Sequence, residues 1–382
     1  MLIAATLLLM TGYCVLMLVY KYGWQRQMKT TVPVGRPILQ QRVSILIPAR
    51  NERTHIEACL KALLHNDYPE DQLEIIVIDD FSDDDTTVLA AKTLGSRGRV
   101  LRLQDYISED ERLNAYKKKA LEIAIAEASG DWIITTDADC IAGPCWIREM
   151  TDAMAQPGAA FVVAPVNFTP AGKKKDLVYI FQSLDFMTMQ GITASSAALN
   201  LGNMCNGANL AFSRKAYAAV DGYKGIDHIA SGDDMLLMHK IRRQFPDGII
   251  YQPSARAIIQ TPAQPDVRSF LNQRIRWSSK AGKYNDTRLT LILLLVYLFN
   301  LSLLVLFTAA LFIPAYWIWL SGILFVKVLI ELWYLAPVAR FYNKSGELWY
   351  FPLLQPMHIA YIVLAGFLGK FGKYQWKGRS VH

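Results

Sequence analysis

The sequence predicts an α/β domain, with a mixed, mostly parallel sheet and flanking helices, joined to transmembrane helices. Three observations lead there. Residues 2–20 and 289–313 carry no charge, and each is long enough to cross a hydrocarbon layer of roughly 30 Å as a helix. Between them lie short, continuous apolar runs, VSILIPA and LEIIVIDD, bounded by turn formers as buried parallel strands are. Segments of helical periodicity separate these runs, the order expected of βαβ units.

The first stretch, LIAATLLLMTGYCVLMLVY, lacks the basic start and small-residue cleavage site of a signal peptide, and Lys21, Arg26 and Lys29 follow it directly. It reads as an uncleaved anchor over 1–20. The positive-inside tendency then places the polar stretch from about 21 to 287 in the cytoplasm, which implies a multi-pass protein of the cell (inner or plasma) membrane. Residues 21–41, with the sequence TTVPVGRP, form a juxtamembrane linker. The five cysteines show neither metal-ligand spacing nor a paired framework. The net charge of +7 serves a protein that faces anionic lipid, and no nucleic-acid motif accompanies it. Membrane lipid is therefore an expected partner and nucleic acid is not.

The cytoplasmic domain is expected over 42–262. VSILIPA is its first strand, ERTHIEACLKALL a helix, LEIIVIDD at 73–80 the second strand and TTVLAAKTL a second helix. KKKALEIAIAEA forms a third helix that Gly130 ends, and DWIITTDAD a strand that terminates in carboxylates. From about 150 to 262 periodicity weakens and Gly, Asn and Pro increase, which predicts an irregular α+β half of the same domain. Ligands of open α/β sheets bind beyond the carboxyl ends of the strands, where both acidic clusters fall.

Asp79 and Asp80 close one strand, with Ser82 and Asp83 in the turn after it. The ordinary alternative is that Ser82 or Asp83 caps the next helix. Asp137 and Asp139 flank Ala138 at the next strand end, where alternation directs both side chains to one side. Two ionised carboxylates that close repel, and a hard cation, Mg²⁺ or Mn²⁺, relieves the repulsion while completing its shell with substrate phosphates. A diphosphate donor is the inference; a solvated acidic turn is the alternative. Lys117, Lys118 and Lys119 begin a helix, and a solvated helix start would suit two of them. Asp233 and Asp234 precede MLLMHKIRRQF and would cap it. DVRSFLNQRIRWSSKAGKY alternates apolar and basic residues before the next span, so 263–287 reads as an interfacial amphipathic segment.

PARNE at 48–52, YPEDQLEIIVIDDFSDD at 68–84, TTDAD at 135–139, GDD at 232–234 and QRIRW at 273–277 together resemble the ordered motif set of family 2 glycosyltransferases. The chain is similar to the subgroup that contains cellulose, chitin and hyaluronan synthases and ceramide glucosyltransferase. The resemblance implies a GT-A nucleotide-sugar-binding domain and a hexosyltransferase activity. It implies that Ala49, Glu52, Asp79 and Asp80 surround the nucleoside of a UDP-linked donor, with Lys117 near it and Asp137 touching it. Asp139 would ligate the metal. Asp234, beside Asp233, would be the general base that deprotonates the acceptor hydroxyl, with inversion at the anomeric carbon. Gln273, Arg276 and Trp277 would reach the site, Arg276 pairing with the diphosphate and Trp277 bordering the acceptor. GNMCNGANLAF at 202–212 resembles a loop beside the acceptor, although Asn206 and Gly207 would equally form an ordinary turn. Phe81 stands where the family most often has Gly, and Gly232 and Asp233 replace its Thr and Glu.

The C-terminal membrane region is expected over 288–371, with a third span over about 315–338 that contains Lys327 and Glu331. They either neutralise each other or line a polar acceptor path. Residues 347–371 are interrupted by Pro352, Gln355, Pro356 and His358, consistent with a bent span or a re-entrant hairpin. A single crossing would leave the basic tail 372–382 outside, against the positive-inside tendency. Three or four spans, roughly, leave little material for a polymer channel, so a lipid or lipid-linked acceptor is expected. A processive polysaccharide synthase with a glycan acceptor is the alternative, and a non-catalytic nucleotide-sugar-binding scaffold is a second. A transporter is disfavoured, since no repeated membrane unit is visible.

Overall fold

The computed structural model describes residues 1–30, 41–107, 114–172, 175–229, 232–280, 286–371, 374–376 and 379–381. Most of the expected linker (31–40), residues 281–285 of the interfacial segment and the side chains of the basic tail lie outside the described residues. The chain forms two compact units. One combines Thr30–Asn167, Met204–Pro262 and Trp376–His382; the other combines Met1–Lys29, Phe168–Asn203 and Ala263–Gln375.

After α1 (Leu2–Lys29), which belongs to the second unit, the first unit runs β1 (Val43–Ala49), α2 (Ile56–Leu64), β2 (Leu73–Asp79), α3 (Thr86–Leu94), β3 (Arg99–Arg102) and α4 (Tyr116–Glu127). It continues with β4 (Trp132–Thr135), α5 (Trp146–Met154), β5 (Phe161–Val163) and β6 (Val166–Thr169), whose last residues enter the second unit. After α6 (Leu177–Leu199) of the second unit come β7 (Leu210–Ser213), α7 (Arg214–Ala219), α8 (Met235–Gln244), β8 (Ile249–Tyr251) and β9 (Ile259–Pro262). Seven strands form one sheet in the order β3-β2-β1-β4-β7-β5-β8. β2 and β4 flank β1 in parallel, with Ala49 opposite Asp79 and Leu46 opposite Thr135, so three carboxyl ends lie side by side. Only β7 runs antiparallel to its neighbours β4 and β5. Ile45, Leu46, Ile47 and Ile75–Ile78 are all but inaccessible. Helices cover both faces of these strands, which is why their sequences run apolar without alternation.

Local details differ from the sequence expectations for identifiable reasons. α4 ends at Glu127, with Ala128 already extended, rather than at Gly130. Gly130 instead donates its amide to Ser44 Oγ, and a Cβ there would lie 2.5 Å from the Ser44 nitrogen, so close approach requires the glycine. β4 stops at Thr135, and Asp137 and Asp139 lie in the following turn, where strand alternation does not govern them. Neither Ser82 nor Asp83 caps α3; Asp84 accepts the Thr86 amide at 2.9 Å, while Ser82 Oγ accepts from the Asn51 amide. Within the stretch read as irregular, residues 177–199 form one 23-residue helix, because apolar residues there occupy nearly every side of α6.

The second unit contains α1, α6, α9 (Val267–Ser278), α10 (Thr287–Ala310), α11 (Tyr316–Phe341) and α12 (Phe351–Phe371). Among the described residues four helical stretches are long and apolar enough to cross a membrane: Leu2–Lys29, Thr287–Ala310, Tyr316–Phe341 and Ser345–Lys370. The last is a 3₁₀ turn over Ser345–Tyr350 running into one continuous helix, not a hairpin. Pro352 sits in its first turn, where a missing N–H costs nothing, and only Pro356 falls inside. α1 packs closely on α6, since a Cβ on Gly23 would meet the Ser195 carbonyl at 2.7 Å. Lys327 and Glu331 pair at 2.6 Å; Gln355 accepts from Lys327 at 2.7 Å and donates to Glu331 at 2.8 Å, and the Tyr13 hydroxyl also donates to Glu331. The two charges therefore neutralise each other within a satisfied network that ties α1, α11 and α12.

Candidate active site

At the carboxyl ends of β1 and β2 the chain makes two tight turns held face to face. Ala49 is buried and its carbonyl accepts the Asp80 amide at 2.8 Å. Arg50 Nη1 donates to the carbonyls of Asp80 (2.7 Å) and Phe81 (3.1 Å), and Asn51 Oδ1 accepts the Asp83 amide. The Glu52 amide donates to Thr86 Oγ1, and its carboxylate lies 3.1 Å from His55 Nδ1. Asp79 and Asp80 are buried. Asp79 Oδ2 accepts the Ser82 amide at 3.2 Å, whereas Oδ1 is buried with no hydrogen-bond partner among the described residues. A buried carboxylate oxygen left open at a strand end is equipped to accept a donor from a ligand. Phe81 has φ +53°, a left-handed conformation unusual for a bulky residue, and its ring meets Tyr116 edge-on at 6.1 Å.

A second cluster gathers β4, α4 and α8. Lys117 Nζ donates to Asp137 Oδ1 at 2.8 Å and lies 3.3 Å from Asp233 Oδ2. Burial alone would lower the pKa of Lys117, but Asp137 and Asp233 outweigh it and hold the ammonium well above its ordinary range. Asp234 is the N-cap of α8: Oδ1 accepts the Met235 amide at 2.7 Å and Oδ2 accepts the Gly207 amide at 2.9 Å. A Cβ built on Gly207 would lie 3.5 Å from Asp234 Oδ2 and 3.6 Å from both Asp233 Oδ2 and Lys117 Nζ, so these groups converge on one spot. The turn expected at Asn206 and Gly207 is present, with Asn206 Oδ1 accepting the Ala208 amide. Of the three lysines, only Lys119 makes an exposed surface pair, with Glu122; Lys118 is buried and donates to the carbonyls of Ile226 and Ile229.

Ligand atoms of Asp137, Asp139 and Cys140 lie within 4.8 Å of one another. Burial first, then the charges of Asp139 and Asp137, push the Cys140 thiol well above its ordinary pKa. Hard divalent cations take oxygen ligands, so the two carboxylates are the donors that suit Mg²⁺ or Mn²⁺ here. Burial, with the same two carboxylates, also raises Cys59, and burial with Asp234 and Asp233 raises Cys205. Around this spot the carboxylates of Asp137, Asp139, Asp233 and Asp234 outnumber the Lys117 ammonium. Two carboxylates with few other protein oxygens fit a hard divalent cation that completes its shell from substrate.

Gln273, Arg276 and Trp277 lie on α9 of the second unit, each partly exposed. Sequence reasoning passed over Arg50, although PARNE contains it, and over Arg274, hidden between the motif positions of QRIRW. It also passed over Asn209, which accepts from Trp146 Nε1 and donates to the carbonyls of Pro165 and Ala257, fixing the loop behind Gly207.

The family profile "Glycosyl transferase family 2" matches residues 44–219, and "Glycosyl transferase family group 2" matches residues 132–343. Over 127 residues the chain is 28% identical to glycosyltransferase AglE of Haloferax volcanii, covering 33% of this chain and 40% of that protein. Over 309 residues it is 25% identical to an N-acetylglucosaminyltransferase of Rhizobium meliloti, covering 75% of this chain and 66% of that one. The chain thus matches less than two thirds of the length of these relatives. Among solved structures, mannosyltransferase PcManGT from Pyrobaculum calidifontis, in complex with GDP-Man and Mn²⁺, superimposes with a TM-score of 0.59 at 18% identity, over 97% of this chain and 99% of that one. At that identity the likeness concerns the fold.

Proposed function

Because the chain belongs to glycosyl transferase family 2 and has its nucleotide-sugar-binding GT-A fold, we propose that it is an inverting, metal-dependent hexosyltransferase working at the cytoplasmic face of a cell membrane. Its donor is a nucleoside diphosphate sugar, UDP-linked in this reading, and its acceptor is a lipid or lipid-linked glycan. The observation that carries the proposal is the convergence of Lys117, Asp137, Asp233, Asp234 and Gly207 at the carboxyl end of the sheet, beside Asp139. The four apolar helices support a membrane acceptor.

In this reading Ala49, Glu52, Asp79 and Asp80 receive the nucleoside, with Asp79 Oδ1 open to a base or ribose donor. Asp137 and Asp139 would hold Mg²⁺ or Mn²⁺, which when bound neutralises charge developing on the leaving diphosphate. Lys117 adds a fixed cation to the same end. Asp234 takes the proton of the acceptor hydroxyl as its oxygen attacks the anomeric carbon from the face opposite the diphosphate, and the configuration inverts. The Gly207 amide orients the Asp234 carboxylate, and Asp233 holds Lys117. Gln273, Arg276 and Trp277 serve the diphosphate and the acceptor.

The test uses the full chain purified in detergent with Mn²⁺ or Mg²⁺, a panel of nucleotide sugars and a membrane lipid extract. Metal-dependent release of nucleoside diphosphate from one donor, with label in the organic phase, is expected. Label in an insoluble polymer would replace the lipid acceptor with a polysaccharide synthase. Donor binding without release from any sugar would refute catalysis in favour of a scaffold.

A further inference from the structure

The segment QRIRW contains a second arginine that the motif does not specify. Arg274 is 2% exposed, and two of its guanidinium nitrogens, Nε and Nη1, are hydrogen-bonded. Nε donates to Asp185 Oδ2 at 2.9 Å, and Nη2 lies 2.8 Å from the same oxygen. Nη1 donates to Gln273 Oε1 at 3.1 Å. The group lies over the rings of Trp277 (4.3 Å from Cζ to the centroid) and Phe270 (4.8 Å). Asp185, on α6, is buried too, and its other oxygen lies 3.7 Å from His358 Nε2 of α12. Burial would raise the Asp185 pKa, but Arg274, with help from His358, holds it below the usual carboxylate range.

We propose that Arg274, locked by Asp185, is the positioning residue that presents Gln273 and Trp277 for sugar transfer. The proposal rests on the reading that the QRIRW segment serves that reaction. Residues 270, 273, 274 and 277 recur at helical spacing and share one face of α9. The buried member can therefore set the geometry of its two partly exposed neighbours. Arginine carries donors only, so the oxygen of the Gln273 amide must face it, and the amide NH₂ is the end presented to a ligand oxygen. The Trp277 ring meets two buried neighbours, the Arg274 guanidinium at 4.3 Å and the ring of Phe186 of α6 at 6.2 Å. A buried ion pair is poor at raising stability compared with apolar residues of the same volume. What it supplies is direction, through a planar fork that an ammonium cannot reproduce.

The experiment compares turnover, donor affinity and thermal stability of the full chain in detergent, with Mn²⁺, a panel of UDP-sugars and a membrane lipid extract. Arg274→Lys and the paired replacement Asp185→Leu with Arg274→Met are the test variants, and Gln273→Ala with Trp277→Ala is the reference. A misplacement near 1 Å lowers turnover by on the order of 10- to 100-fold. That fall is expected in both test variants, while the apolar pair unfolds near the parental temperature. On the reference background Arg274→Lys should have little further effect, because it acts through the two side chains already removed. Parental turnover in the apolar pair, or a full additional loss on the reference background, would overturn the proposal. If the apolar pair does not fold, the comparison on the reference background decides. Parental turnover in the reference variant itself would instead sink the underlying reading of QRIRW, and the proposal with it.

Discussion

Replacing Asp234 separates two roles that the geometry superposes on one carboxylate. Its oxygens accept the Met235 amide at 2.7 Å and the Gly207 amide at 2.9 Å, so it caps α8 and anchors the Gly207 turn as well as facing the convergence point. Asp234→Asn is therefore not a silent isostere. One of the two amides must face an NH₂ group, and a donor left without its acceptor costs about 1–3 kcal/mol. At about 2–4 °C per kcal/mol for a domain of this size, the unfolding temperature should fall by roughly 2–12 °C. Asp234→Ser keeps a good capping oxygen but likewise loses one of the two bonds, so a similar fall is expected. Neither variant can take a proton from a hydroxyl, and turnover should drop by about 10²–10⁴-fold in both. Measured well below the unfolding transition, donor affinity should stay within about threefold, because the base acts on the acceptor. Turnover within tenfold of the parent in either variant would show that Asp234 is a cap and not the base.

Asp139→Asn should weaken donor binding measured with Mn²⁺ and leave binding without metal unchanged; equal loss in both conditions would remove Asp139 from the metal site. Phe81→Gly relieves a left-handed backbone worth about 1–2 kcal/mol and gives up an aromatic pair worth about 0.5–1.5 kcal/mol. Its net effect on stability should be close to zero, and a fall beyond about 3 kcal/mol would mean that Phe81 holds more of the turn than its contact with Tyr116. Burial lowers Lys344 from 10.5 to about 8, against the pull of Glu347, while it donates to Ser183 Oγ and the Phe168 carbonyl. Between those values the unfolded chain binds more protons, so stability of the helical unit should rise with pH across that window by about 3 kcal/mol. Lys344→Met should flatten that rise in unfolding temperatures measured from pH 7 to 10.5, and an unchanged slope would refute the assignment.

The class of the fold was legible because it depends on neighbours in the chain. VSILIPA and LEIIVIDD are apolar at every position, and only strands covered on both faces tolerate that, so a parallel sheet with carboxylates at its ends follows from the letters alone. Charge-free runs of membrane length are equally local. Meetings between distant side chains were not legible. Lys117, Lys118 and Lys119 are identical in sequence, yet one reaches Asp137, one the carbonyls of Ile226 and Ile229, and one Glu122 on the surface. Asp137 and Asp139 stand close because a turn follows Thr135, not because a strand alternates. Gly130 reads as a helix stop but is needed for contact with Ser44, 86 residues away. Arg274 looks like one more basic residue of an interfacial helix until Asp185, 89 residues earlier, takes it out of solvent. Periodicity and burial are decided within a few residues, whereas the partner of a buried charge is decided by which elements pack against it, and only the tertiary structure contains that information.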